Sequence, residues 1–216
     1  MGKKRLEDAI QQINHPVKVD YRCFELDPNA KLDVDYNIYE KLASKYGMSL
    51  EQAKANCQNM EQTAKEVGLV FNFESQILTN TFDAHRLVMF AKTKGLMHEM
   101  TDRILRAHYT ESKHIGDHET LANLGEEVGL DRELVASLLA TNEFSDIVRQ
   151  DEQEATQYGI RSIPFFLINK KYAITGAQST EILIQSLQQI ITQDGLIEEN
   201  QPGIACDEDG CEIPKD

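Results

Sequence analysis

The sequence predicts an α/β domain interrupted by a large insertion of helices. Apolar and polar residues alternate in a strand-like pattern from Pro16 to Leu26, helical patterns fill most of 35–158, and Phe165 to Ile168 form a short apolar run typical of a buried strand. A single short strand near Val19 would not be stable alone. We therefore expect the strands at the two ends of the chain to meet in one sheet, with the helical block between them.

The chain opens with a predicted amphipathic helix over Gly2–Asn14, because its apolar residues recur at helical spacing. Ser49 and Gln52 have the spacing of a capping box, and Asp117 and Asp131 are expected N-caps of later helices. Glycine stop signals divide the central block into several helices and stand at Gly47, Gly68, Gly95, Gly116 and Gly129.

A hairpin is predicted near the end of the chain. Ile163 precedes Pro164 and is therefore pushed toward an extended conformation, and the turn follows the first strand at Asn169–Lys171. Local reasoning favours a trans Ile163–Pro164 bond, because only about 5–6% of X–Pro bonds in folded proteins are cis. Ser179 can cap a final helix, whose apolar stripe consists of Leu183, Leu187, Ile190 and Ile191.

These elements divide the chain into three parts. Residues 1–34 and 159–194 are predicted to form one discontinuous α/β domain, and residues 35–158 form the helical insertion. Residues 195–216 are predicted to be an acidic C-terminal tail that contains a Cys-x-x-x-x-Cys pair.

The charge balance argues against several classes of partner. The 216 residues include 22 basic and 36 acidic side chains, which gives a formal net charge of -14. We expect no binding to nucleic acid or to anionic membrane surfaces. Met1–Asp8 is charged rather than an apolar signal sequence, and no apolar run reaches the length of a membrane span. The sequence therefore predicts a cytoplasmic protein.

The four cysteines are too few for a disulfide scaffold in a chain of this size. Cys206 and Cys211 are separated by four residues that include Gly210, so a disulfide or dithiol pair is sterically reasonable. Whether this pair forms a redox-active disulfide, a structural disulfide or neither is left open. No metal site is predicted, because two further ligands are not signalled nearby. The surrounding acidic residues should raise the pKa of both thiols and make them slow nucleophiles.

Other candidate side chains have structural interpretations. Cys23 on the predicted strand and Cys57 on a helix are expected to be small buried residues. His114 and His118 have no evident third ligand, so a solvated loop is the preferred interpretation. His85 lies at the start of an apolar helix, where a hydrogen-bonded histidine is the simpler expectation than a catalyst.

Several motifs together resemble the DsbA-like thiol–disulfide oxidoreductases, and within that family the FrnE-like cytoplasmic branch. The resemblance covers nearly the whole chain, and its most specific part is the proline loop. The motifs that carry it are Gly-Ile-Arg-Ser-Ile-Pro-Phe-Phe from Gly159, the hairpin with Gly176-Ala177-Gln178, Asn80-Thr81-x-x-Ala84-His85-Arg86-Leu87, Ile115-Gly116-Asp117 before a helix, and the Cys206/Cys211 tail.

The resemblance implies a thioredoxin-like sheet with a large all-helical insertion, and it favours a cis proline bond over the trans bond expected locally. The implied partners are protein disulfides or dithiols, or small thiols, with a homodimer left open. No cofactor is implied except glutathione. The implied site residues are Ile163 and Pro164 in the catalytic cis-proline loop, Asn80, His85 and Ser162 for substrate binding, and Cys206 and Cys211 as a second redox pair.

The sequence departs from the family at its start. Family members begin with a strand and a Cys-Pro-x-Cys-Tyr motif, and a stretch similar to Met1–Glu7 follows. This sequence contains that stretch but neither the strand nor the motif. That strand lies in the middle of the family's sheet, so its loss should leave the strand near Val19 without a neighbour. We expect the 216-residue chain to be inactive as a dithiol enzyme. Our hypothesis is that Met1 is an internal methionine of a longer protein, and the coding DNA upstream would test it.

Two alternatives remain open at this point. Some relatives of this fold are glutathione-dependent isomerases or kappa-type glutathione transferases, in which a serine replaces the attacking cysteine. The other alternative is a redox-inert binding or chaperone-like module that keeps only the substrate groove. Thiol titration and glutathione binding would separate these three functions.

Overall fold

The computed structural model describes residues 1–195. Seven helices of this part of the chain lie within residues 35–158, the predicted insertion, whose exact limits stay a prediction. In the described residues the order of elements is α1 (Gly2–Ile10), α2 (Ile38–Tyr46), α3 (Leu50–Glu66), α4 (Phe82–Thr93), α5 (Met97–Tyr109), α6 (His118–Glu127), α7 (Arg132–Leu139), α8 (Ser145–Gln157), β1 (Phe165–Ile168), β2 (Tyr172–Thr175) and α9 (Thr180–Gln193).

The hairpin prediction is confirmed. Strands β1 and β2 are antiparallel, with Phe165 opposite Thr175. Asn169 and Lys170 have φ angles of 52° and 56°, and the Lys171 N–H donates to the Ile168 carbonyl at 3.0 Å. Positive φ at both central residues gives the turn the twist that an antiparallel pair requires. This geometry places the start of β1 and the end of β2 side by side.

Helices α1 and α9 pack against each other and cover the hairpin. The Ser179 cap is confirmed, since its Oγ accepts from the Ile182 N–H at 3.3 Å. The apolar stripe of α9 faces inward, and Leu183 within it is fully buried. This small core contains Ala9, Leu183 and Leu187, with Leu6, Ile10, Ile13, Phe166, Ile168, Ile174 and Ile184 packed around them.

The helical block has a larger core of its own, formed by α4 to α7. The predicted capping box at Ser49 and Gln52 and the caps at Asp117 and Asp131 are all confirmed. A third core lies between the segment after Pro16 and helices α4 and α8. It consists of Cys23, Met89 and Val148, with Phe82, Met97 and Phe144 beside them.

The predicted strand between Pro16 and Leu26 is not formed. Within the described chain this segment makes no backbone-to-backbone hydrogen bond. A strand needs a neighbouring strand to satisfy its backbone groups, and β1 is paired only with β2. The N–H groups of Cys23 and Glu25 instead donate to carboxylates of Asp151 and Glu152 on α8, at 2.9 and 3.4 Å. The segment is extended, and α8 holds its second half.

Two further expectations need correction. Helix α1 ends at Ile10 rather than Asn14, since the N–H groups of Gln12 and Ile13 donate to carbonyls only three residues back. Strand β1 is not buried on both faces, since Leu167 is 37% exposed. Gly116 lies between α5 and α6, as predicted, and glycine is required there by a close approach, because an added Cβ would lie 2.2 Å from the Thr79 Oγ1.

Candidate functional site

The first residues of α1 lie directly against the proline loop. Gly2 is buried, and a Cβ added to it would be only 2.5 Å from the Cγ of Pro164. Any larger side chain would have to displace either the helix or the loop. The Ile163–Pro164 peptide bond is cis. The N-terminus of α1 and the start of β1 therefore lie next to each other.

Two long-range hydrogen bonds hold this junction together. The Gly176 N–H donates to the Pro164 carbonyl at 2.9 Å, which ties the loop to the end of β2. The Arg5 Nη1 donates to the Ala177 carbonyl at 2.7 Å, which ties α1 to the segment after β2. Ile163 is 47% exposed, so the loop keeps an accessible surface beside the helix.

The helix dipole at the junction favours an anion, whereas the charge of Lys3 is already balanced by carboxylates. No acidic residue lies in the first turn of α1, and the partial positive charge of the helix N-terminus stabilises negative groups there. Lys3 bridges to Asp102 on α5 at 2.6 Å and also pairs with Glu7. Burial of Lys3 alone would lower its pKa, but the bonds to Asp102 and Glu7 outweigh burial and raise it. The Lys3 ammonium therefore stays charged near the start of the helix.

A cavity of about 440 Å³ lies beside the first residues of α1, with Met1 and Lys3 in its lining. Its walls come from α1, from α5 and from the loop that follows α3. Val70 and Leu105 in its lining are 52% and 40% exposed, so part of the surface is apolar and open.

Cys23 and Cys57, the cysteines within the described residues, are not at the junction. Both are buried, as predicted for core thiols. Burial raises the pKa of each thiol, and for Cys23 the nearby carboxylates of Asp151 and Glu152 raise it further. A thiol kept protonated inside a core is a poor nucleophile. The other predicted redox residues, Cys206 and Cys211, lie outside the described residues.

The predicted substrate-binding residues are dispersed. The Asn80 side chain donates to the Ala30 carbonyl at 3.2 Å and accepts from the Phe82 N–H at 2.8 Å, so it fastens the start of α4 to a loop. The His85 imidazole is buried beside the Phe24 backbone, and burial lowers its pKa. Neither residue lines the cavities next to the proline loop. Ser162 is exposed within the loop, and its role stays a prediction.

The loop interpretation is correct for His114, which lies between α5 and α6, and wrong for His118. His118 is the first residue of α6, and its Nε2 lies 2.7 Å from the Asp83 carboxylate. His114 lies 3.3 Å from Asp33 through its Nε2. Each histidine finds a different acidic partner, because Asp117 between them starts a helix and turns the chain. They do not form a shared site.

The sequence did not indicate the importance of Gly2, Lys3 or Arg5. Each contacts a residue more than ninety positions away in the sequence, so no local pattern could reveal the contact. The charge of Met1–Asp8 argues against a signal sequence, and the resemblance of Met1–Glu7 to the family's stretch after the Cys-Pro-x-Cys-Tyr motif gives no role to these three residues. The signal that did identify the site was the proline that precedes an apolar run.

The hairpin behind a proline loop, the covering helices and the inserted helical block define a thioredoxin-like domain of the DsbA type. None of the helices in residues 1–195 is long and apolar enough to span a bilayer. A family model described as a DSBA-like thioredoxin domain matches residues 1–188, and the chain belongs to this family.

Similarities to individual proteins support this family membership. A crystal structure of a probable DsbA oxidoreductase from Streptomyces coelicolor is 35% identical, with a TM-score of 0.85 over 99% of this chain and 93% of its own. Protein YwbO of Bacillus subtilis (strain 168), which is uncharacterized, is 28% identical over 87% of this chain and 88% of its own length. The cytosolic disulfide reductase DsbM from Pseudomonas aeruginosa, solved with GSH, shares the fold at 17% identity, with a TM-score of 0.56 over 88% of this chain and 92% of its own.

Proposed function

We propose that this protein takes part in thiol–disulfide exchange at the junction of α1 and the proline loop, as a cytoplasmic member of the FrnE-like branch. The observation that carries the proposal is the packing of Gly2 against Pro164. It brings a helix N-terminus, which stabilises a thiolate, beside an exposed loop that can offer backbone groups to a substrate. The names of the relatives in the family support the same class of reaction.

The exchange proceeds by sulfur substitution. A thiolate at the N-terminus of α1 attacks one sulfur of a substrate disulfide, and the substrate S–S bond breaks as a mixed disulfide forms. The leaving sulfur departs as a thiolate and takes up a proton. A second thiol then attacks the mixed disulfide and releases the reduced substrate. The dithiol partner is oxidised by two electrons, and the substrate is reduced by two.

Neither of these thiols is Cys23 or Cys57, because both side chains are buried and protonated. We place the exchanging sulfurs outside residues 1–195. Cys206 and Cys211 can act as a second pair that relays oxidising equivalents, and glutathione can act as the small thiol. The GSH in the DsbM structure supports the choice of glutathione for a first experiment.

The test is a turbidity assay of insulin reduction with the 216-residue chain and dithiothreitol. We expect the rate to equal that of dithiothreitol alone, because the sequence contains no Cys-x-x-Cys. The double variant Cys206→Ser with Cys211→Ser is the matched control and should give the same rate. Turnover at the rate of an ordinary dithiol enzyme that survives in the double variant would place the reacting thiols within residues 1–195 and would refute this placement.

Thiol counting after incubation with oxidised glutathione tests the relay. We expect Cys206 and Cys211 to lose their free thiols, while the buried Cys23 and Cys57 stay reduced. Glutathione bound tightly without any thiol exchange would instead favour the isomerase or transferase alternative. Neither binding nor exchange would favour the redox-inert module.

A further inference from the structure

Three side chains with metal-binding atoms converge where α1 passes close to α5. Glu7 lies on α1, and His98 and Asp102 lie about one turn apart on α5. One ligand atom from each of the three lies within 4.8 Å of the other two. No other group of three histidine, cysteine or acidic side chains in residues 1–195 meets this limit. The three side chains therefore join the first helix to the helical block.

The distances among these side chains suit a metal ion. The His98 Nε2 lies 3.3 Å from an Asp102 carboxylate oxygen, and the His98 Nδ1 lies 3.8 Å from a Glu7 carboxylate oxygen. The ligand atoms of a tetrahedral Zn²⁺ ion lie about 2.0–2.2 Å from the metal and about 3.3–3.6 Å from each other. The side chains of His98 and Asp102 are 53% and 51% exposed, so small rotations can bring one nitrogen and two oxygens around an ion.

The Lys3 ammonium marks this position as one that stabilises a cation. It lies 2.6 Å from the Asp102 Oδ1 and also pairs with Glu7. One ammonium balances only one of the two carboxylates, whereas a divalent ion balances both. The stem of Lys3 is flexible, and the cavity of about 440 Å³ that it lines offers room for the displaced ammonium. A divalent ion can therefore replace the ammonium without leaving Lys3 buried and unpaired.

We propose that Glu7, His98 and Asp102 bind one Zn²⁺ ion, which displaces the Lys3 ammonium from the two carboxylates. An imidazole ligand favours zinc over magnesium or calcium, which prefer oxygen ligands alone. Three protein ligands leave the fourth tetrahedral position to a water molecule. The ion fastens α1 to α5 in place of the ion pair between Lys3 and Asp102. Zinc has no redox chemistry, so this site does not depend on the thiol chemistry of the neighbouring junction.

Competition with a chromophoric chelator measures the affinity for Zn²⁺. The protein is the full chain with Cys206→Ser and Cys211→Ser, so that the thiols of the tail do not bind the metal. We expect one ion per chain and at least tenfold weaker binding by His98→Gln, since losing a residue that only orients a ligand already costs about 10–100-fold. His118→Gln is the matched control, because His118 is equally exposed but contacts only the Asp83 carboxylate among the described acidic residues. Its affinity should equal that of the parent.

A second variant changes the affinity in the opposite direction. Lys3→Met removes the cation that competes with the metal, so it should bind Zn²⁺ about fivefold more tightly than the parent, or better. Lys4→Met is the matched control, because Lys4 pairs with Asp8 on the same helix and its loss changes the net charge equally. This control should stay close to the parent affinity. A gain in affinity cannot result from misfolding, so the comparison of the two lysine variants remains decisive.

Thermal unfolding gives an independent measurement of the same site. Because Zn²⁺ binds only the folded chain at this site, saturating zinc should raise the Tm of the parent and of Lys3→Met, but not that of His98→Gln. Absence of zinc binding by the parent, or equal affinities of the parent and His98→Gln, would overturn the proposal. Equal affinities of Lys3→Met and Lys4→Met would overturn it as well, because the ion would then not take the place of the Lys3 ammonium.

Discussion

Gly2 makes the contact that defines the site, so its replacement is the most informative change of a single residue. Gly2→Ala would place a methyl group 2.5 Å from the Pro164 Cγ. In a helix alanine is normally favoured over glycine by about 1 kcal/mol, whereas forcing a methyl group into a packed contact costs about 1–3 kcal/mol. We expect a net loss of stability in urea unfolding, together with faster amide exchange at Gly176, whose N–H bonds Pro164.

Gln11→Ala is the matched control, because Gln11 is exposed at the other end of α1. This variant should leave both the stability and the Gly176 exchange rate nearly unchanged. A Gly2→Ala protein that is as stable as the parent would show that α1 does not press on the loop.

His108 makes stability depend on pH. Its Nε2 accepts from the Gln76 amide at 2.8 Å, and burial lowers its pKa to about 4, against an ordinary value of 6.5. The unfolded chain therefore binds more protons between these two pH values, so the free energy of unfolding falls as the pH drops from 6.5 toward 4. The full loss assigned to this histidine is about 3 kcal/mol.

The measurement is urea unfolding at several pH values for His108→Gln and for the parent. The variant should show a shallower acid slope than the parent, because it lacks the buried imidazole. Identical slopes for the parent and His108→Gln would show that His108 does not contribute to the acid behaviour.

Single residues also show which features a sequence can reveal. Caps such as Ser49 and Asp131 were predictable, because a cap depends on residues only a few positions away. The buried positions of Cys23 and Cys57 followed from residue type and pattern. The partners of His114 and His118 did not, since Asp33 and Asp83 reach them only through the tertiary fold.

At the scale of elements, the segment after Pro16 depends on α8 for its position. The Asp151 carboxylate is 2% exposed and accepts from the Cys23 N–H at 2.9 Å and from the Arg22 Nη1 at 2.8 Å. Asp151→Asn removes the charge from both bonds, and bonds to charged groups contribute about 1.5–3 kcal/mol each. We expect a loss of stability in that range and faster amide exchange at Cys23.

Glu154→Gln serves as the control on the same helix, because Glu154 is 38% exposed and lies 3.6 Å from Arg22. Exposed ion pairs contribute about 0–1 kcal/mol, so this change should be nearly neutral. Equal effects of the two substitutions would mean that the buried bond to Cys23 does not anchor the segment.

Helices were easier to predict than strands in this chain. A helix satisfies its own backbone, so the pattern around Leu183 sufficed to predict α9. A strand needs another strand, and the alternating residues after Pro16 predicted an element whose neighbour is not among the described residues. The pattern was therefore correct for the conformation and wrong for the pairing.

At the scale of the whole molecule, the described chain has two main cores beside the small third core around Cys23. The larger lies among α4 to α7, and the smaller lies between α1, α9 and the hairpin. The order of strand and helix signals predicted the family's architecture, and the match to the DSBA-like family over residues 1–188 confirms it. The meeting of Gly2 with Pro164 could not be predicted from physical patterns, because it depends on how both ends of the chain pack.

The central claim is that the N-terminus of α1, beside Pro164, is suited to hold a reactive thiolate. The most direct measurement is the thiol pKa of Met1→Cys, expressed behind an added initiator methionine in a background with Cys206→Ser and Cys211→Ser. The control is Gln11→Cys at the opposite end of the same helix.

Iodoacetamide alkylation rates across pH give both pKa values. For Met1→Cys we expect a value near 7 or below, because thiols at helix N-termini are shifted to about 3.5–7.5 from about 8.5. The thiol of Gln11→Cys should remain near its ordinary value or above it. Equal pKa values for the two thiols would contradict the claim that this junction is built for thiol–disulfide exchange.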